Sequence, residues 1–154
     1  MFNESLKIDG FDGKFSHIAI VVHDIEKTIS LYCQLLGIER PVLKMTGEPD
    51  QAKVEFMGRA TPARSYQAFF DVNGIRVELM QPDENESTWR DALDAYSESF
   101  HHAAYTVDNM EKTVELFAAV GIPVVQTGFY NGGQYVYLDS RKSMGMMIEL
   151  LCSN

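Results

Sequence analysis

Two stretches of the chain alternate and break in the same order. Phe15–Val22 is a run of apolar and β-branched residues that reads as a strand. Asp24 follows as a predicted N-cap, its carboxylate placed to accept an orphaned amide of a first helical turn. From Ile25, apolar residues recur at Ile29, Tyr32 and Leu36, one face of a helix, and Gly37 stands at the left-handed position that ends many helices. The order returns in Phe100–Val107, in Asp108 or Asn109 as the cap, in the face Met110, Val114, Phe117 and Val120, and in the stop at Gly121.

After each helix the period shortens to that of strands. Ser65–Asp71 and Ile75–Gln81 flank Asn73-Gly74, a type I′ hairpin signal. Val124–Tyr130 and Gln134–Leu138 flank Asn131-Gly132-Gly133, and Met146–Leu151 follows a turn at Ser140–Gly145. One more strand is expected within Val42–Met57, and Gly58–Arg64 reads as an exposed loop. Each half therefore reads βαβββ, which makes the whole an α+β chain of eight strands.

The expected organisation is one domain over residues 1–154, with a module at 15–82 and a module at 100–152. A polar connector at 83–99 joins them. Within it, Ser87 caps a short helix whose Trp89, Ala92, Leu93 and Tyr96 share a face. Either half alone is too small to bury a sufficient core, so the two are expected to share one.

Composition narrows the function classes. With 13 basic and 22 acidic residues the formal charge is -9, which argues against nucleic acid as a partner. A small anionic ligand held by local cations is compatible with it, and Lys44, Lys53, Arg59, Arg64, Arg141 and Lys142 are the candidates. The two cysteines, Cys33 and Cys152, lack any ligand-like spacing and are expected as free thiols in a reducing cytosol. No apolar leader and no run long enough to span a bilayer is visible, so the expected setting is cytoplasmic, without membrane association.

The repeat preserves a histidine near its start and a glutamate near its end. His17 shares a strand face with Ala19 and Val21, and His102 with Ala104 and Thr106. Glu78 lies between Val77 and Leu79, and Glu149 between Ile148 and Leu150. Singly, a strand histidine is more often a hydrogen-bonded core residue than a ligand. Burying a bare carboxylate is costly, however, and four polar residues at equivalent positions of a repeat point to convergence. Two imidazoles and two carboxylates suit one divalent ion with positions left open; zinc, nickel, cobalt and manganese all tolerate the set. His23 is expected to be exposed, and His101, opposite His102 by alternation, to pack or be solvated.

Ser16-His17-Ile18-Ala19-Ile20-Val21-Val22, Val77-Glu78-Leu79-Met80-Gln81-Pro82, His101-His102-Ala103-Ala104 and Met147-Ile148-Glu149-Leu150-Leu151 resemble blocks of the vicinal oxygen chelate superfamily. That superfamily includes glyoxalase I, methylmalonyl-CoA epimerase, bleomycin resistance proteins and extradiol dioxygenases. The His-His pair and Gly132–Tyr135 look closest to the epimerase-like branch. The resemblance implies paired modules curled into a U-shaped, partly open mixed sheet around a metal. It also implies metal ligands at His17, Glu78, His102 and Glu149, and a homodimer acting on a small-molecule substrate.

Four ligands imply an isomerase, epimerase or lyase that moves a proton next to a chelated carbonyl, on an acyl-CoA or a thiol adduct. Glu149 is the favoured base, then Glu78; a non-ligand base after the first helix would fall at Glu48 or Glu55. Tyr135 and Tyr137 are candidates to line the pocket, and Arg141 and Lys142 to hold an anionic tail. The alternatives implied are a small-molecule or antibiotic-binding protein without turnover and, less favoured, an extradiol-type dioxygenase.

Overall fold

The computed structural model describes residues 10–154. Ten strands form one curled mixed sheet, with five helices among the described residues. The first half supplies β1 (Lys14–Val21), α1 (Ile25–Leu36), β2 (Lys44–Met45), α2 (Pro49–Ala52), β3 (Glu55–Phe56), β4 (Arg59–Ala60), β5 (Ser65–Val72) and β6 (Ile75–Pro82). After α3 (Thr88–Tyr96), the second half supplies β7 (Ser99–Thr106), α4 (Met110–Ala118), β8 (Val124–Tyr130), β9 (Gly133–Leu138), α5 (Arg141–Met144) and β10 (Met147–Ser153).

The strand order is β2-β5-β6-β1-β7-β10-β9-β8-β3-β4. At its centre β1 and β7, the first strands of the two repeats, run antiparallel. Each is paired on its outer side with the last strand of its own repeat, β6 or β10, in parallel. The four candidate residues thus sit on four adjacent strands.

Both long helices begin as the sequence predicts. The Asp24 carboxylate accepts from the Lys27 amide at 3.0 Å, and of the two candidates in the second repeat Asn109 is the cap, accepting from Lys112 at 2.9 Å. Gly37, at φ 64°, closes α1 in the left-handed region. Helix α4 stops at Ala118, earlier than Gly121 suggests, and Val120 is exposed instead of completing the buried face. The Asn73-Gly74 turn has both φ values positive, as a type I′ hairpin requires.

Eight strands were expected and ten are present. The extra pair is the hairpin β3–β4, turning at Met57 (φ 51°) and Gly58 (φ 76°), within a segment that reads as part strand, part loop. Methionine is a poor resident of that region, so no Asn-Gly signal marks the turn. The hairpin also crosses over: β2 pairs with β5 of the first half, whereas β3 pairs with β8 of the second. Residues 44–56 therefore bridge the two arms of the sheet.

Strand alternation divides the core. On the outer face α1 packs Ile25 and Ile29 against Ala68, Phe70, Val77 and Leu79, and α4 packs Met110 against Ala103, Val136, Ile148 and Leu150. The inner face is filled by Ala19, Val21, Met80, Tyr135, Tyr137 and Met147, closed by Trp89 and Leu93 from α3. The segment expected as a connector therefore plugs the interior of the curl. Ser87 caps it at 3.0 Å from the Arg90 amide, while Tyr96, expected on the buried face, is exposed.

Replacing either cap, Asp24→Ala or Asn109→Ala, is expected to lower stability by about 1 kcal/mol, read from urea denaturation midpoints. Two variants indistinguishable from the parent would contradict the capping contacts.

Candidate metal centre

The four repeat-related residues meet inside the curl. His17, Glu78, His102 and Glu149 are all buried, and one ligand atom from each lies within 4.8 Å of the others. His17 Nε2 is 3.0 Å from Glu78 Oε2 and 3.4 Å from Glu149 Oε2. His102 Nε2 is 3.5 Å and 3.1 Å from the same two oxygens, and the two Nε2 atoms are 3.4 Å apart. All four come from one chain.

The backbone explains why both imidazoles present Nε2. The pairing of β1 with β7 is interrupted twice, between Phe15 and His17 on one strand and opposite Ala19 and Ile20 on the other. The extra residue is Ser16 in the first bulge and His101 in the second, each directly preceding a cluster histidine. A bulge re-aims the side chains beside it. Ser16 Oγ lies 3.0 Å from His17 Nδ1, and His101 Nδ1 lies 2.8 Å from His102 Nδ1. Each cluster histidine is therefore held through Nδ1, which leaves Nε2 for the interior.

His101 is a residue that strict alternation misplaces. It is buried, with its ring 5.1 Å from that of His102 and 5.3 Å from that of Tyr137, because the bulge turns it inward. Two ring nitrogens at 2.8 Å share one proton, so one must accept. Burial, with the charge of His102, holds the His101 pKa down at about 3. A neutral His101 is the natural acceptor. The repeated histidine-preceding position was visible in the sequence; the bulge was not.

Burial alone would lower the His17 pKa, but the Glu149 and Glu78 carboxylates overcome it and raise it to about 9. Burial likewise opposes charge on His102, and Glu149 and Glu78 again raise its pKa. Burial would raise the Glu149 pKa, yet His102 and His17 hold it at about 2. Without an ion, protonated imidazoles would balance the buried acid. The His17 contribution to stability is complete below pH 6.5 and is lost as pH rises through about 9. That of Glu149 is lost only as pH falls toward about 2.

A divalent ion fits this set. Ligands about 2.1 Å from a common centre stand about 3.0 Å apart when adjacent in an octahedron and about 3.4 Å apart in a tetrahedron. The five contacts between imidazole nitrogens and their neighbours span 3.0 to 3.5 Å. Glu149 Oε2 is also buried without a well-aligned hydrogen bond, an expensive condition that coordination would relieve. Glu78 differs: its other oxygen accepts from Gln67 Nε2 at 2.7 Å.

Open space of about 270 Å³ adjoins the cluster, lined by Phe69, Arg76 and Tyr130 beside His17, Glu78 and Glu149. It shares Gln67 and Tyr130 with a larger cavity of about 660 Å³. Tyr135 lines that larger space, whereas Tyr137 is buried behind it, its hydroxyl accepting from Trp89 Nε1 at 3.0 Å.

Several expectations are corrected. Arg141 pairs with Asp139 at 2.7 Å, and neither Arg141 nor Lys142 lines either cavity; Lys44 and Arg76 do. Glu48 is exposed and paired with Arg64 at 2.8 Å, and Glu55 is exposed on β3, so neither lines the space near the cluster. His23 is exposed as expected, and both cysteines are free. No helix among the described residues is long and apolar enough to cross a membrane.

Because an ion must displace protons from the imidazoles, its binding at pH 7 is expected to release about one proton or more, read by calorimetry in buffers of differing ionisation enthalpy. Affinity should rise about tenfold per pH unit per displaced proton toward pH 9. Affinity independent of pH would contradict the charge balance. Loss of the acceptor in His101→Phe is expected to weaken metal affinity by about 10- to 100-fold, whereas an unchanged affinity would leave His101 as packing alone.

No curated protein sequence matches the chain. Solved structures do. A hypothetical protein from Bacillus halodurans C-125 is similar with a TM-score of 0.64 at 20% identity, over 94% of this chain and 96% of that one. Methylmalonyl-CoA epimerase from Mycobacterium tuberculosis is similar with a TM-score of 0.62 at 20% identity, over 91% and 87%. A methylmalonyl-CoA epimerase in complex with methylmalonyl-CoA and NH4+ gives 0.58 at 20% identity, over 92% and 94%. At such identities the likeness is one of fold. The family model described as glyoxalase/bleomycin resistance protein/dioxygenase superfamily matches residues 16–137, from Ser16 in β1 into β9. By that match, and with the paired repeats meeting at β1 and β7, the chain belongs to this superfamily.

Proposed function

We propose that the protein is a metal-dependent isomerase, epimerase or lyase that moves a proton on the carbon next to a carbonyl of a small substrate. The observation that carries this reading is the buried cluster of two histidines and two glutamates, open on one side to solvent-accessible space. His17, Glu78, His102 and Glu149 would hold the ion. When bound, a divalent ion supplies Lewis-acid polarisation of the substrate oxygens, which acidifies the adjacent C–H bond.

The proton is assigned to Glu149. Its carboxyl is ionised across the neutral range and lines the open space, and beyond the two imidazoles of the cluster no side chain among the described residues holds it. Glu78 is second, because Gln67 fixes its Oε1 and suits it to a stationary ligand. His17 and His102 orient the site through Nε2, backed by Ser16 and His101. Phe69 and Leu151 form apolar walls that limit water beside the reacting carbon. Glu149 takes the proton from that carbon; in an isomerisation it returns it to the neighbouring atom, and in an epimerisation a second acid, for which Glu78 is the candidate, protonates the opposite face while Glu149 keeps the first proton.

The complete set of four within one chain supports a site that needs no residue from a second copy, so the expected cytoplasmic homodimer would contain two independent sites. The reading of the protein as a binder without turnover draws on the larger cavity, which exceeds what chelation needs. The acyl-CoA and thiol-adduct classes both present the required carbonyl.

Incubating metal-loaded protein in deuterium oxide with 2-substituted acyl-CoAs, hemithioacetals and 2-oxo acids is expected to label the carbon next to the carbonyl of the true substrate. Glu149→Gln should slow that exchange by about 10²- to 10⁴-fold, with Glu78→Gln reducing metal content more than Glu149→Gln does. Tight binding of a panel member without exchange would overturn the enzyme in favour of the binder.

A further inference from the structure

The larger cavity is built mostly by residues that the cluster does not use. Trp89 comes from α3, Phe129 and Tyr130 from β8, and Tyr135 from β9. The bridging segment supplies the opposite wall through Lys44 and its neighbours up to Val54. Four aromatic side chains thus face one space that is continuous, through Gln67 and Tyr130, with the opening above the cluster.

These rings are not all explained by core packing. Trp89 and Tyr135 are buried and pack against each other with centroids 6.2 Å apart, which accounts for them as walls. Phe129 is 46% and Tyr130 42% exposed, so both present apolar ring surface to a space where a polar residue would be better solvated. The local backbone reinforces the arrangement. At Gly128 a Cβ would fall 2.5 Å from the Tyr135 ring, so glycine is what allows Tyr135 to lie along β8 beneath the cavity.

The charge of the cavity is as restrictive as its shape. Lys44 is the larger cavity's single charged lining residue among those described, with Gln51, Gln67 and Asn131 as neutral polar groups, and Arg76 of the adjoining space is paired with Asp71 at 3.7 Å. Arg64, which donates to the carbonyl of Thr46 in the same wall, is already paired with Glu48 at 2.8 Å. In a chain of net charge -9, one lysine can offset a single anionic group. It leaves most of the phosphate charge of a coenzyme A moiety without the cations or helix N-termini that favour phosphate binding.

We propose that the site takes a small carbonyl compound bearing an aromatic ring and no more than one negative charge, not a coenzyme A thioester. The ring sits among Trp89, Phe129, Tyr130 and Tyr135, and the carbonyl end reaches past Gln67 toward the four-residue cluster. This rests on the preceding reading for the chelating end alone. The aromatic end is carried by the cavity itself.

Trp89 is the only tryptophan of the chain and lines the cavity, so occupancy is read directly from its fluorescence. Metal-loaded protein is titrated with phenylpyruvate, with pyruvate as the probe lacking the ring, and with propionyl-CoA. Phenylpyruvate is expected to bind at least about tenfold more tightly than either, since the ring adds buried apolar area and aromatic contact. Phe129→Ala should weaken phenylpyruvate by about tenfold and leave pyruvate and the metal content unchanged, and the half-exposed position makes the variant safe for folding. Equal affinities, tighter propionyl-CoA, an indifferent Phe129→Ala, or binding of none of the three overturns the proposal. Phenylpyruvate that binds without deuterium exchange would sink the catalytic reading and leave this one standing.

Discussion

Two carboxylates buried within the curl of a sheet set the terms for the rest of the molecule. Glu78 and Glu149 are almost fully enclosed, and a bare carboxylate there costs a large share of the net stability of a small domain. The chain answers with two imidazoles at hydrogen-bond distance, and the imidazoles require their own support. Bulges at Ser16 and His101 turn a partner toward each Nδ1, and the central β1–β7 pairing places the two bulges about the same site. The duplication supplies both halves of this balance at once. A cluster that is only just satisfied by protons is one that a divalent cation satisfies better.

The fold follows from enclosing that balance. Helices α1 and α4 cover the outer face with equivalent apolar stripes, so the inner face is left for the acids and histidines. Helix α3 then closes the interior with Trp89 and Leu93, and residues 44–56 bridge the arms across the cavity that Trp89 also lines. These two insertions break the symmetry of the repeats. They convert a symmetric ion cage into a one-sided cleft, with the aromatic wall on the side of the second repeat. Site chemistry is thus carried by the duplicated elements, and selectivity by the elements that occur once.

Much of this was legible because it rests on local rules. Strand alternation put His17 with Ala19, and His102 with Ala104, and the caps and Asn-Gly turn set the ends of the elements. The four cluster residues were found by their repetition, without any knowledge of distance. What escaped detection was what depends on partners far along the chain. The β3–β4 hairpin turns through Met57, which carries no turn signal, and its pairing with β8 is a contact between halves. His101 was assigned to the wrong face because a bulge defeats the period on which the assignment depends. Arg141 looked available for an anion until Asp139 was seen to hold it. The segment 83–99 reads as polar linker because a short helix buries few residues, even when one of them is Trp89.

The most direct test of the account is the position of a bound ion in a crystal of cobalt-loaded protein, located by anomalous scattering. The account predicts one strong peak per chain, about 2.0–2.2 Å from His17 Nε2, His102 Nε2, and a carboxylate oxygen of each of Glu78 and Glu149. A protein that takes up no stoichiometric ion, or holds it away from these four residues, would contradict it.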